Sequence, residues 1–405
     1  MKKLLCMLLA LAMLPALSGC GSIYSNYQQL ESLLVIQAMG IDKTSAGVDI
    51  TLASAPNSAR GESPAILSGG GESISQALER IKIRSNEQAL FYSHIRSIVI
   101  GDETARAGIE DYLSYICRSP YVRVNLPIYI MKNSSAKEVM ESAGSSSTGI
   151  SELLLAIEEN LGSGGGERVV SAAEILRDDR RFGSALICAL ELGEASDSRE
   201  SEESTSGEDA GSPGQEQSSP EGSGSDEAPL TAAVSGYAII KDGHLCGFID
   251  REKAVGVGFI KNHVDISPLV VRDQQGRPVT LEISNGGAEI EPLWADDGSL
   301  LGIDVSANVR AAITETSAGD AVGTPQYTDF ITSRLESEIS RRISAVLQQS
   351  RELQADFLGL AGIIELAAPE KFSAMPRSFV ACLPELELQI TVSGTLSHTN
   401  DIKDA

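Results

Sequence analysis

The sequence predicts an α+β protein of several domains, built from mixed β-sheets with packed helices, the C-terminal domain a sheet with one long helix on it. Three observations carry this prediction. Runs of β-branched residues, several of them alternating with polar ones, recur along the chain, separated by stretches in which apolar residues return every three to four positions. At 405 residues the chain exceeds the usual size of one core, and roughly 100–200 residues per domain implies two to four. An acidic tract rich in Ser and Gly, residues 194–229, divides the patterned sequence into two parts.

The chain opens with Met1-Lys2-Lys3, an apolar run over 4–14, and Pro15, followed by Leu17-Ser18-Gly19-Cys20. This is the order of a secretory signal peptide, 1–19, and its apolar run is too short to span a bilayer core of about 30 Å. The tetrapeptide ending in Cys20 resembles a bacterial lipobox, which implies lipidation of Cys20 as the first mature residue. Elsewhere no stretch approaches 18 unbroken apolar residues, so this lipid is the expected membrane attachment.

An N-terminal domain is expected over 20–193. Leu33-Leu34-Val35-Ile36 and the alternating Val48 to Leu52 read as two strands, with Gly40-Ile41-Asp42-Lys43 and Gly47 as turn chemistry between them. Residues 56–71 read as a loop. Ser73 and Gln76 form a capping pattern ahead of a helix whose face carries Ile74, Ala77, Leu78 and Ile81. A strand is expected over 91–100, a helix on the Ile109, Tyr112, Leu113, Ile116 period, and a strand alternating from Val124 to Ile130 with Pro127 marking an edge. Helices over 135–142, 150–161 and 171–180 and a strand over 185–192 complete this part.

Residues 194–229 hold eleven acids and one base, Arg199, with no apolar periodicity. Such a stretch cannot bury enough surface to offset its ordering entropy, so a disordered acidic linker is expected. A middle region, 230–265, begins with strands over 233–240 and 244–249 around Lys241-Asp242-Gly243, a strong hairpin turn. A polar break at 250–253 and an apolar run over 255–260 follow. The C-terminal domain, 266–405, carries strands from Val264, over 278–284 and over 300–313. A long helix from about Tyr327 to 358 has Ile331, Leu335, Ile339, Val346 and Leu347 on one face. The last strand, over 385–396, places Leu386, Leu388, Ile390 and Val392 on one side.

Composition excludes several roles. A formal charge of −24 opposes approach to nucleic acid, and 4% aromatics with one Trp disfavour stacking grooves. Cys117, Cys188, Cys246 and Cys382 are scattered without a C-x-x-C, and His94, His244, His263 and His398 are isolated, so no metal site is expected. Gly69-Gly70-Gly71 and Gly164-Gly165-Gly166 lack the Lys and the spacing of a phosphate loop and read as loops. The carboxylate pairs Asp178-Asp179 and Asp296-Asp297 read as solvated turns, and His94 as a histidine within a strand. No catalytic constellation and no cofactor are expected.

Several blocks in order resemble the Ger(x)C family, the lipoprotein C subunits of nutrient germinant receptors in spore-forming bacteria. They are Leu17-Ser18-Gly19-Cys20, and an apolar run into Met39-Gly40-Ile41-Asp42-Lys43. Next come Phe91-Tyr92-Ser93-His94 running through Val99-Ile100-Gly101-Asp102-Glu103, then Arg118 and Arg123. Gly236-Tyr237-Ala238-Ile239-Ile240-Lys241-Asp242-Gly243 and Gln354-Ala355-Asp356-Phe357-Leu358-Gly359 complete the set, ahead of the terminal strand to Gly394. Gly21-Ser22 stands where many relatives carry a Trp after the lipidated Cys. The resemblance implies a non-enzymatic subunit anchored through acylated Cys20 to the outer face of the spore's inner membrane. Its implied partners are two integral membrane receptor subunits (A and B type) and the lipid bilayer. The alternative reading is a solute-binding lipoprotein of a membrane transporter, which would share the lipobox but calls for two βα lobes and a ligand cleft.

Overall fold

The computed structural model describes residues 33–55, 64–85, 89–144, 149–164, 167–194, 230–264, 266–317 and 324–398. Residues 1–19, read above as a signal peptide, Cys20, the acidic tract from 195 to 229 and Gly165-Gly166 lie outside the described residues. The first part contributes β1 (Leu33–Thr44), β2 (Gly47–Ser54), β3 (Ile66–Gly71), α1 (Ile74–Arg84), β4 (Ala89–Phe91) and β5 (Ser97–Ile100). There follow α2 (Asp102–Ala107), α3 (Glu110–Arg118), β6 (Pro127–Met131), α4 (Ala136–Gly144) and α5 (Gly149–Gly164). Then come β7 (Val170–Ser171), α6 (Ala172–Phe182) and β8 (Ser184–Glu194). After the acidic tract stand β9 (Leu230–Lys241), β10 (His244–Asp250), α7 (Arg251–Lys261), β11 (Ser267–Arg272), β12 (Pro278–Trp294) and β13 (Leu300–Thr316). The last elements are α8 (Pro325–Leu353), α9 (Leu360–Ala367), α10 (Pro369–Ser373), α11 (Phe379–Cys382) and β14 (Glu387–His398).

The larger sheet runs β10-β9-β8-β6-β5-β1-β2-β3, with β4 beside β1 and β7 beside β6. Its centre, β1, β5, β6 and β8, is parallel, and each parallel step needs a crossover connection, which the intervening helices supply. Both faces are covered. Ile98, Ile100, Ile128 and Ile130 pack with residues of α1, α3 and α6, while Val99, Tyr129 and Met131 pack with α4 and α5. Burial on both sides is why these strands read as unbroken apolar runs. The outer strands β9 and β10 are antiparallel and joined by a two-residue turn with Asp242 at φ 49° and Gly243 at φ 75°, the left-handed pair expected of Lys241-Asp242-Gly243.

A second sheet, β11-β12-β13-β14, carries α8 on one face. Thr324 caps that helix and Pro325 fills its first turn, where no N–H is needed. The apolar stripe Ile331, Leu335, Ile339, Ile343, Val346 and Leu347 is buried against Leu281, Ile283, Ile303, Val305 and their neighbours. The same core takes in Leu186, Tyr237, Ile239 and Ile249 from β8, β9 and β10, so the two sheets share one apolar junction. Helix α8 stops at Leu353 because Gln354 turns left-handed at φ 48°, earlier than its apolar period suggests.

The structure differs from the sequence reading at several places. β1 continues through Gly40, Ile41 and Asp42, and Gly40 is there because a Cβ would lie 3.2 Å from both Ala136 Cβ and Met140 Cγ of α4. Gly69-Gly70-Gly71 belongs to β3, a sheet edge pressed so closely on α1 that a Cβ at Gly71 would meet Ala77 N at 2.6 Å. The 91–100 run is broken by a short 3-10 turn over Tyr92–His94, which exposes His94. β6 starts only at Pro127 and is central, with Pro127 tolerated as its first residue, and Val124 is exposed in the preceding turn. Asp178 and Asp179 lie in α6, and the second hairpin strand β12 runs on past Gly286-Gly287 to Trp294. Residues 251–261 form α7, whose Gly256 and Gly258 mask its helical pattern.

Gly256 permits a close approach of α7 to α8. A Cβ there would stand 2.4 Å from Arg342 O on α8, a backbone atom that cannot swing aside. Gly256→Ala should therefore destabilise the protein by about 1–3 kcal/mol, reversing the usual helix preference for Ala. Urea unfolding midpoints of the two proteins measure this directly.

Candidate functional site

The residue blocks singled out in the sequence meet in pairs, and each pair is organised by one carboxylate. Asp42, near the end of β1, accepts hydrogen bonds from Ala136 N at 2.9 Å and Lys137 N at 2.8 Å, capping α4. Such a cap satisfies donors that the first turn of a helix leaves unpaired. Gly101 stands against this carboxylate so tightly that a Cβ would lie 2.2 Å from Asp42 Oδ1. Next to it Lys43 N donates to the buried Thr104 Oγ1 at 2.7 Å, and Asp102 pairs with Arg106 at 2.5 Å while accepting from Asn133 N. Burial raises the Asp42 carboxyl above its ordinary range, against the pull of its two backbone donors.

The second carboxylate is Asp356, fully buried beyond the end of α8. It accepts from Leu360 N at 2.7 Å and Ala361 N at 2.8 Å and so caps α9. Burial pushes its carboxyl up to about 6, while those donors and the charge of Lys261 pull the other way. Residues 236–243 approach this region from the first sheet. Lys241 Nζ donates to Leu353 O at 2.8 Å, and Gln349 Nε2 donates to Phe248 O at 2.9 Å. Ion pairs between Arg341 and Glu252 and between Arg181 and Glu365 add to this seam.

A pocket of about 60 Å3 opens at the seam between α6 and α7, with Arg168, Glu174, Arg177, Asp178, Lys261 and His263 around it. Arg168 pairs with Glu174 at 2.8 Å and Arg177 with Asp178 at 3.0 Å, while Tyr237 Oη accepts from Arg168 N at 2.6 Å. Burial lowers the Lys261 ammonium, and Asp178 and Asp356 partly restore it. Polar groups here neutralise one another, and the arrangement is that of a joint between two sheets.

The remaining marked residues are dispersed. His94 is exposed beside Phe91, and His244 is exposed with its ring on Asp242 O. Cys188 and Cys382 are buried, Cys117 and Cys246 half-buried, and all four are free thiols. Burial holds the Cys188 thiol protonated, the opposite of what a nucleophile needs. Among the described residues no three His, Cys, Asp or Glu side chains gather as metal ligands, and no helix is long and apolar enough to cross a membrane. Asp42 and Asp356 went unmarked as caps because their partners follow from the fold. Only the Asp-x-x-Gly-Leu spacing from Asp356 hints at a helix start.

The sign of the Asp356 effect follows from its raised position. The native carboxyl binds its proton more tightly than the unfolded one, so its contribution to stability is largest at low pH and is lost as pH rises through about 6. Comparing wild type with Asp356→Asn by urea unfolding should show the difference moving in favour of Asn by roughly 1–3 kcal/mol between pH 4 and 7. A pH-independent difference would contradict the assignment.

Two family models match the chain, one after the other. The spore germination protein N-terminal domain matches residues 26–176, and the spore germination B3/GerAC-like C-terminal domain matches residues 235–400. A solved structure, the crystal structure of the GerBC protein, is similar over 92% of this chain and 99% of its own, with 15% identity and a TM-score of 0.52. At that identity the likeness is one of fold, and it extends over both sheets. No curated protein matches the chain. With both parts present in order on a shared architecture, the chain belongs to the GerAC-like family of spore germination proteins.

Proposed function

We propose that the chain is the lipoprotein subunit of a spore germinant receptor, required for nutrient-triggered germination and acting by assembly rather than by catalysis. Its place is the outer face of the spore's inner membrane, and its partners are the A- and B-type integral membrane subunits. The observation that carries this reading is the succession of both family parts behind Leu17-Ser18-Gly19-Cys20 on one chain. In this account residues 1–19 are removed, Cys20 is acylated, 20–193 carries the N-terminal family part, and beyond the 194–229 linker the C-terminal part takes in the 230–265 region together with 266–405. No cofactor and no metal take part.

The physical role of the anchor is to confine the globular part near its partners. Each buried methylene contributes about 0.8 kcal/mol, so two or more acyl chains hold the protein stably. Confinement raises the local concentration of its docking faces without any new contact. The fold suits such a role, because the carboxylates of Asp42 and Asp356 are taken up in capping helices and leave recognition to the surface.

Cys20→Ser separates anchoring from folding, since residue 20 precedes the first strand at Leu33. The variant should move from the membrane to the soluble fraction, and spores carrying it should lose most of their response to nutrients. Retention in the membrane fraction at the wild-type level would overturn the anchoring part of the proposal.

A further inference from the structure

The chain carries 32 Lys and Arg against 56 Asp and Glu, yet one groove on its surface is walled by guanidinium groups and by no carboxylate. It lies between α3 and α6, has a volume of about 830 Å3, and presents Arg118, Arg177, Arg180 and Arg181 with Cys117 and Leu176 in its wall. All four arginines are exposed. Three of them are held in place from one side. Arg118 Nε donates to Ser114 O at 3.1 Å, and Arg177 Nε donates to Asp178 at 3.0 Å. Arg181 lies over the Phe182 ring at 5.1 Å and reaches Glu365 at 3.3 Å. Neither Arg118 nor Arg180 has a carboxylate within 4 Å among the described residues.

Helix dipoles account for part of this pattern, since Arg118 ends α3 and Arg180 and Arg181 stand in the last turn of α6. They do not account for the missing counter-charge. In a chain with so large a surplus of acids, Arg118 and Arg180 stand on this groove without an ion pair, while Arg177 and Arg181 are paired with Asp178 and Glu365, which do not line it.

We propose that this groove binds a water-soluble, phosphate-bearing ligand, with the guanidinium forks of Arg118 and Arg180 taking its phosphate oxygens. A planar fork meets two oxygens of one phosphate at once, which a lysine cannot do. A net charge of −24 opposes a flat anionic membrane, whereas a small ion within a Debye length of about 8 Å meets chiefly the local field.

The test uses the full mature chain, with inorganic pyrophosphate as probe and chloride at matched ionic strength as control. Pyrophosphate should raise the thermal midpoint and slow alkylation of Cys117 by iodoacetamide, the second readout being local to the groove. The double variant Arg118→Gln, Arg180→Gln removes two exposed side chains that carry no ion pair. Without the probe it should remain folded, its midpoint lowered by at most a few degrees because two helix ends lose a favourable cation, and its apparent affinity for pyrophosphate should fall at least about tenfold. The proposal is overturned if pyrophosphate has no effect, or acts equally on the variant. It is equally overturned if the variant differs only in binding vesicles that contain phosphatidylglycerol, which would make the groove a membrane contact.

Discussion

Strand β9 pairs with β8 from Ser184 opposite Lys241 to Glu194 opposite Leu230, although the acidic tract separates them in sequence. The two parts of the molecule hang on this pairing. It sets β9 with Ala238 and Ile240 in the core beneath α3 and α6, and with Tyr237 and Ile239 in the core beneath α8. Closing a loop costs only about 0.6 kcal/mol more for each doubling of its length. A long connection is therefore tolerated wherever the strands it joins bury enough surface, and β8 and β9 are buried on both faces over most of their length. Once the hairpin is in place, β10 leads directly into α7, and α7 is delivered onto α8.

From that pairing follow the close approaches that make the second part rigid. Gly256 lets α7 touch the backbone of α8, and Gly286 gives way to the Phe259 ring, which a Cβ would meet at 2.6 Å. Asn262, left-handed at φ 55°, accepts from Ala288 N and donates to Ala288 O, tying the end of α7 to β12. The half-buried carboxylate of Asp42 and the buried one of Asp356 play one role at two places, each offering two oxygens to the open amides of a helix. A body built this way holds its surface in fixed geometry, and its surplus of negative charge opposes self-association.

Much of this was legible in the sequence where a period repeats. The α8 stripe, the alternation from Leu386 to Val392 and the turn Lys241-Asp242-Gly243 each carry their own local signal, and each stands in the structure as read. What stayed hidden depends on neighbours distant in sequence. Glycines at 69–71, 256 and 286 look like loops or broken helices until the partner that needs their missing side chain is beside them. Asp42 is 94 residues from the amide of Ala136 that it caps, and no spacing rule links the two. The site residue most plainly written in the sequence, Cys20, lies outside the described residues, and its role rests on its motif.

The measurement that tests the account most directly is made on spores of the native host from which this gene has been deleted. Loss of refractility is followed after nutrients are added, and separately after a chemical trigger that bypasses the receptors. The account predicts failure with nutrients and a normal response to the bypass, restored to wild type by the intact gene. Normal nutrient germination, in a host with no second copy of the receptor, would contradict it.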